Sequence, residues 1–176
     1  TALRIYELQL NGEEVGDELF APGFTSYKNN LQYQVYDVTA QLQKNNALTA
    51  VVAGGWAVGA FVMNRKNRTT APRQAFLAEI RIRYADGSEE VFGTDTAWQV
   101  TREGNVRFAE FYDGETYDAT VDLNKAHWHA AAVERVKIHP SIEAACGAPV
   151  RAHEVFAPVA VTRTAAGEVI YDMGQN

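Results

Sequence analysis

Cysteine is nearly missing: Cys146 stands alone among 176 residues. One thiol makes no internal disulfide and no cysteine-based zinc site, so neither device holds this chain together. It also leaves a secreted origin unsupported, which favours a cytoplasmic parent without fixing the compartment. Long apolar runs are missing as well. No hydrophobic stretch approaches the ~20 residues that cross a bilayer as a helix, which argues against a membrane partner. Positive charge is in deficit, with 16 Lys and Arg against 22 Asp and Glu and a formal net charge of -6. A polyanion is repelled overall, which argues against broad nucleic-acid binding. The sequence holds no glycine-rich phosphate loop, no nucleophile elbow and no internal repeat. It opens at Thr1 without a basic-then-apolar leader, and its last residues fall inside a motif. The expectation is a piece cut from a longer protein.

What is present reads as β-sheet. At 47% hydrophobic and 22% charged, the composition suits one packed domain with a fragment of a second. Leu3 to Leu10 alternates as a strand, with a slip of phase near Tyr6 that predicts a bulge, and Asn11-Gly12 then turns the chain. Leu31 to Val38 reads as the next strand. Thr39 follows as a candidate cap for one helical turn reaching Gln43. Ala47 to Ala53 is apolar enough for a strand buried on both faces. It runs into Gly54-Gly55-Trp56, where the ring fits a core position beside a glycine turn and, alternatively, a stacking surface for a sugar.

Asn64 to Gln74 carries Arg65, Lys66, Arg68 and Arg73 and reads as an exposed loop. Phe76 to Tyr84 is the clearest alternating strand, and Asp86-Gly87 turns it into Glu89 to Phe92. Trp98 faces a core, with Asp95 tied to nearby backbone N–H groups. Both Trp56 and Trp98 are expected as buried rings. His127 and His129 flank Trp128 at the spacing of same-face strand neighbours, a pair better read as surface histidines than as a metal site. Ala130 to Ile138 leans to strand. Pro140 and Gly147-Ala148-Pro149 mark Ser141 to Arg151 as a linker, after which Gly167 turns into a last strand at Val169 to Tyr171.

The acidic turn Tyr112 to Thr120 is the most chemically suggestive stretch. It sets Asp113, Glu115 and Asp118 and two tyrosines around Gly114. The glycine permits a tight turn, and such a loop presents oxygen acceptors. A turn solvated by its acids explains the same pattern.

Several motifs carry a resemblance in order along the chain. These are Asn11-Gly12 with Pro22-Gly23, Tyr36-Asp37-Val38-Thr39 with Leu42 and Asn46, and Gly55-Trp56 with Gly59. Thr94-Asp95 with Trp98, Gly114-Glu115 with Tyr117-Asp118-Ala119, and Asp172-Met173-Gly174-Gln175-Asn176 complete the series. Together the sequence resembles the N-terminal β-sandwich region of bacterial α-L-rhamnosidases, which are glycoside hydrolases built on an (α/α)6 catalytic barrel. Here Thr120 stands where that family usually has Arg, and Ala57 where it has Tyr.

The resemblance implies an all-β, jelly-roll-like antiparallel β-sandwich over 1–140. It implies a linker and the first strands of a following β-sandwich over 141–176. It implies inversion at terminal α-L-rhamnose by two carboxyl groups about 6.5–9.5 Å apart, placed on a barrel that this chain lacks. No catalytic and no metal-ligating residue is therefore assigned, and no cofactor. The expected role is an accessory domain whose partner is the catalytic barrel of the same polypeptide. The alternative is a carbohydrate-binding module that holds rhamnose through calcium, with a rhamnose-containing carbohydrate as partner. Candidate sugar contacts are Trp56, Asn45, Asn46, Glu115 and Asp118. The neutral amides of Asn45-Asn46 disfavour calcium, which prefers charged oxygen ligands.

Overall fold

The computed structural model describes residues 2, 5–58, 60–61, 66–67, 73–134 and 139–174. Its strands in chain order are β1 (Ile5–Leu10), β2 (Glu13–Glu14), β3 (Asn30–Tyr33) and β4 (Leu48–Ala53). After one helical turn, α1 (Gly55–Val58), come β5 (Ala60–Phe61), β6 (Lys66–Asn67), β7 (Glu79–Arg83), β8 (Glu89–Gly93) and β9 (Gln99–Val100). The remainder are β10 (Val106–Glu110), β11 (Gly114–Tyr117), β12 (His129–Ala130), β13 (Ser141–Ala144), β14 (Ala160–Arg163) and β15 (Val169–Asp172). The fold is an all-β sandwich of short, mostly antiparallel strands. Among the described residues no helix is long and apolar enough to cross a membrane.

The three-stranded sheet β2-β1-β4 organises the core. Along β1, Tyr6 and Leu10 are buried and Leu8 half-buried, while Glu7 and Gln9 face water. This is the period of two that a strand imposes. The expected bulge near Tyr6 is absent, because β1 pairs with β4 in unbroken register from Ile5↔Ala53 to Leu10↔Leu48. Tyr6 simply belongs to the inward face, where its hydroxyl donates to Gln34 Oε1 at 2.7 Å. The break in register lies in β10 instead, between Val106 and Phe108. Asn11-Gly12 turns β1 into β2 as expected, with φ of 56° and 83°.

Other expectations are corrected. β4 is not buried on both faces: Thr49 and Val51 are exposed while Leu48, Ala50 and Val52 on the other face are half-buried, so only one face is covered. Thr39 does not cap its turn. The 3-10 turn Thr39–Gln41 follows Asp37, whose Oδ1 accepts the Thr39 N–H at 3.0 Å. Thr39's hydroxyl and that N–H hold the Asp37 carboxyl below its ordinary range. Trp56 and Trp98 are half-buried, because each packs onto the rim of a small core, Trp56 from α1 and Trp98 from a loop.

Ser141 to Arg151 is not a free linker. β13 lies parallel to β3, from Ser141↔Asn30 to Ala144↔Tyr33, and Val150 bridges Leu19. A return to β3 after a long excursion can run in the same direction, as parallel pairing requires. Arg151 completes the attachment by an ion pair to Asp17 at 2.7 Å. Of the basic stretch, Lys66–Asn67 is strand rather than loop, paired with β5. Arg73 pairs with Glu134. Arg65, Arg68, Arg135 to Ile138 and Gln175-Asn176 lie outside the described residues.

The β7–β8 hairpin matches its sequence pattern. Five residue pairs run from Glu79↔Gly93 to Arg83↔Glu89. Gly87 takes φ of 86°, and Asp86 Oδ1 accepts the Ser88 N–H at 2.9 Å. Among the described residues the buried hydrophobic set is small: Ala2, Tyr6, Leu10, Ala21, Tyr27 and Val58.

Candidate functional site

The acidic turn is built by the β10–β11 hairpin. Gly114 opens β11 at φ of 78°, a region where a Cβ would be strained. It pairs with Glu110, which sets Glu115 opposite Ala109. Glu115 and Glu7 rim a small cleft of about 50 Å³ between β1, β4 and β10. A neighbouring cleft of about 180 Å³ between β4 and β10 is lined by residues including Val52, Gln74, Arg107 and Glu110. Both fall below the ~300–1,000 Å³ of ordinary small-molecule sites. Trp56, Asn45, Asn46 and Asp118 line neither.

Asp118 serves its own turn. Its Oδ1 accepts the Thr120 hydroxyl at 2.6 Å and the Thr120 N–H at 2.9 Å. These two bonds, the hydroxyl first, hold the Asp118 carboxyl below the ordinary carboxylate range. An acid that must protonate a leaving oxygen needs the opposite shift. The turn is then fixed from behind, where the Asp118 N–H donates to Asn105 O at 2.9 Å and Asn105 Nδ2 to Asp118 O at 3.0 Å. Thr120 is thus the residue that orders this carboxylate.

Asn46 is likewise committed to structure. Its Oδ1 accepts from Asn11 Nδ2 at 3.0 Å and from the Gln43 N–H at 2.8 Å, and its Nδ2 donates to Gln43 O at 2.7 Å. A carbonyl oxygen has two lone pairs, and both are occupied. Asn11 closes the loop further, since its Oδ1 accepts the Ala47 N–H at 2.9 Å. Asn45 beside it is exposed. Among the described residues no three His, Cys, Asp or Glu side chains gather as a metal-holding group.

His127 and His129 are exposed. His127 faces Glu103, whose Oε2 accepts its backbone N–H at 2.8 Å. His129 sits in β12 opposite Val100.

Trp56 belongs to a connected series of rings. It lies 4.9 Å from Phe111 and 6.2 Å from Phe24, measured between ring centroids. Phe111 meets Phe20 and Tyr112 at 5.3 Å each, and Phe24 meets Tyr27 at 5.8 Å. The structure therefore does not gather the five candidate residues into one site. Trp56 sits in a ring cluster, Asn46 in an amide-locked loop, Glu115 at a small cleft and Asp118 in a separate turn.

Comparison with known proteins decides the family. The model of the α-L-rhamnosidase N-terminal domain matches residues 1–163. The chain belongs to the α-L-rhamnosidase N-terminal domain family. An α-L-rhamnosidase of Streptomyces avermitilis is 35% identical, over all of this chain and 18% of its own length. One from Alteromonas sp. (strain LOR) is 30% identical, over all of this chain and 20% of its own. Among solved structures, the Streptomyces avermitilis enzyme complexed with L-rhamnose superposes with a TM-score of 0.87 at 35% identity, covering 100% of this chain and 18% of that one. The Aspergillus terreus α-L-rhamnosidase gives 0.79 at 27% identity, covering 100% and 21%. This rhamnosidase N-terminal domain thus spans about a fifth of the length of the curated relatives it matches.

The ring series of this rhamnosidase domain was not legible in its sequence. Phe20 and Phe24, Trp56, and Phe111 come from three separate segments, and no periodicity links them. The Asn11–Asn46 contact was half legible. The Asn-Gly turn was evident, but the reach of its amide across 35 positions was not.

Proposed function

We propose that this domain is a non-catalytic accessory unit of an α-L-rhamnosidase that releases terminal α-L-rhamnose from glycosides. It packs on the catalytic barrel of the same polypeptide and helps shape access to the active site. The observation that carries this reading is coverage: the whole chain superposes on a rhamnosidase at a TM-score of 0.87 yet accounts for 18% of it. In this reading the first sandwich, over 1–140, is jelly-roll-like, and the β14–β15 hairpin opens a β domain that follows. A two-stranded hairpin is marginal alone in water. The odd-numbered face of this one exposes Val161 at 55% and Tyr171 at 63%, as the first strands of a larger sheet would. A calcium-dependent rhamnose module finds no support in Asn46, whose oxygen already accepts two hydrogen bonds.

Kinetics of the parent polypeptide test the non-catalytic role. Glu115→Gln and Asp118→Asn are expected to leave kcat for an aryl α-L-rhamnoside within about twofold, against the ~10²–10⁴-fold that a lost general acid or base removes. A loss of that larger size in either variant overturns the reading.

A further inference from the structure

The ring series lies at the surface. Phe20, Phe24, Phe111 and Tyr112 are 42%, 57%, 45% and 48% exposed, with half-buried Trp56 between them. Three distant segments supply them. These are the loop after Leu19, helix α1 and the β10–β11 turn. The Gly54 N–H, donated to Ala109 O at 2.9 Å, fixes α1 against that turn.

We infer that this aromatic surface is the face by which the domain docks onto the remaining four-fifths of its own polypeptide. The inference rests on the accessory-domain reading and names the surface that serves it. A contiguous cluster of exposed apolar rings marks an interaction surface. The relatives carry about four-fifths of their length outside the part matched here. Ring geometry favours a protein side-chain surface over a flat ligand. Phe111 meets Tyr112 at 80°, Phe20 meets Phe111 at 73° and Phe24 meets Trp56 at 66°, while Trp56 and Phe111 are tilted by 38°. Rings set edge to face make a ridged apolar surface, into which side chains interdigitate, and not a level platform for a sugar or a base. Exposed aromatic clusters of this kind are the residue class that anchors protein interfaces.

Hydroxyl-radical footprinting of the unmodified parent polypeptide tests this without any variant. Tyr84 and Phe92, 44% and 53% exposed on the β7–β8 hairpin, serve as internal references. Corrected for intrinsic reactivity, oxidation of Phe20, Phe24, Phe111 and Tyr112 is expected at about a fifth of the reference rate or less, as water-excluded interface cores require. If these rings oxidise like the references while Tyr171 and Met173 are protected, the domain docks by another face and the inference is wrong, though the accessory reading stands. Oxidation of all these positions at the reference rate overturns both. Protection of the rings that disappears on dilution of the polypeptide assigns the patch to a second copy and also overturns it.

Discussion

Leu10→Ala is expected to lower the stability of this domain by about 2–5 kcal/mol, the cost of truncating a well-packed aliphatic side chain. Leu10 has no solvent exposure, and it is the largest fully buried side chain among the described residues. It stands at the end of β1 with Glu13 paired on one side and Leu48 on the other. Backbone hydrogen bonding to two strands prevents the sheet from closing over the space left behind. Native domains hold only about 5–15 kcal/mol in all, so the loss is a large share of the total. Denaturant unfolding checks this as a lower midpoint at unchanged slope. A change under about 1 kcal/mol, the scale of an exposed position, would contradict the full burial of Leu10.

Gly54→Ala is expected to cost about 1–3 kcal/mol, the range for forced overpacking. The added Cβ would stand 2.7 Å from Ala109 O and 2.9 Å from Glu110 Cγ. The first of these atoms is backbone and accepts the Gly54 N–H itself, so relief requires β4 and β10 to separate. That separation moves α1, and with it Trp56 away from Phe111. A lower melting temperature should accompany a weaker near-ultraviolet signal from the ring cluster. Gly104→Ala is the control, because its Cβ would meet nothing within 4 Å. Equal behaviour of the two variants contradicts the close approach of β4 to β10.

Features set by neighbouring residues were readable from the sequence. The alternation around Ile80 and Ile82 with the Asp86-Gly87 turn gave the β7–β8 hairpin, since both signals act within a few positions. Asp95 could be assigned to its own turn for the same reason, and its Oδ1 accepts the Ala97 N–H at 2.8 Å. Features set by distant pairing were not readable. The parallel match of β13 with β3 joins residues more than a hundred positions apart, and Pro140 and Gly147 around it suggested a linker. Burial of β4 was overestimated because apolar content does not reveal which faces of a strand are covered. The candidate site suffered most. Asn46 and Asp118 were picked for their oxygens, and the structure uses those oxygens to hold local turns.

Turnover of an aryl α-L-rhamnoside by the purified 176-residue chain, measured beside its parent polypeptide, tests the central claim most directly. The account predicts hydrolysis by the parent and none by the chain at any concentration assayed. Hydrolysis by the chain alone, lost on Glu115→Gln, would contradict it and place the chemistry in this domain.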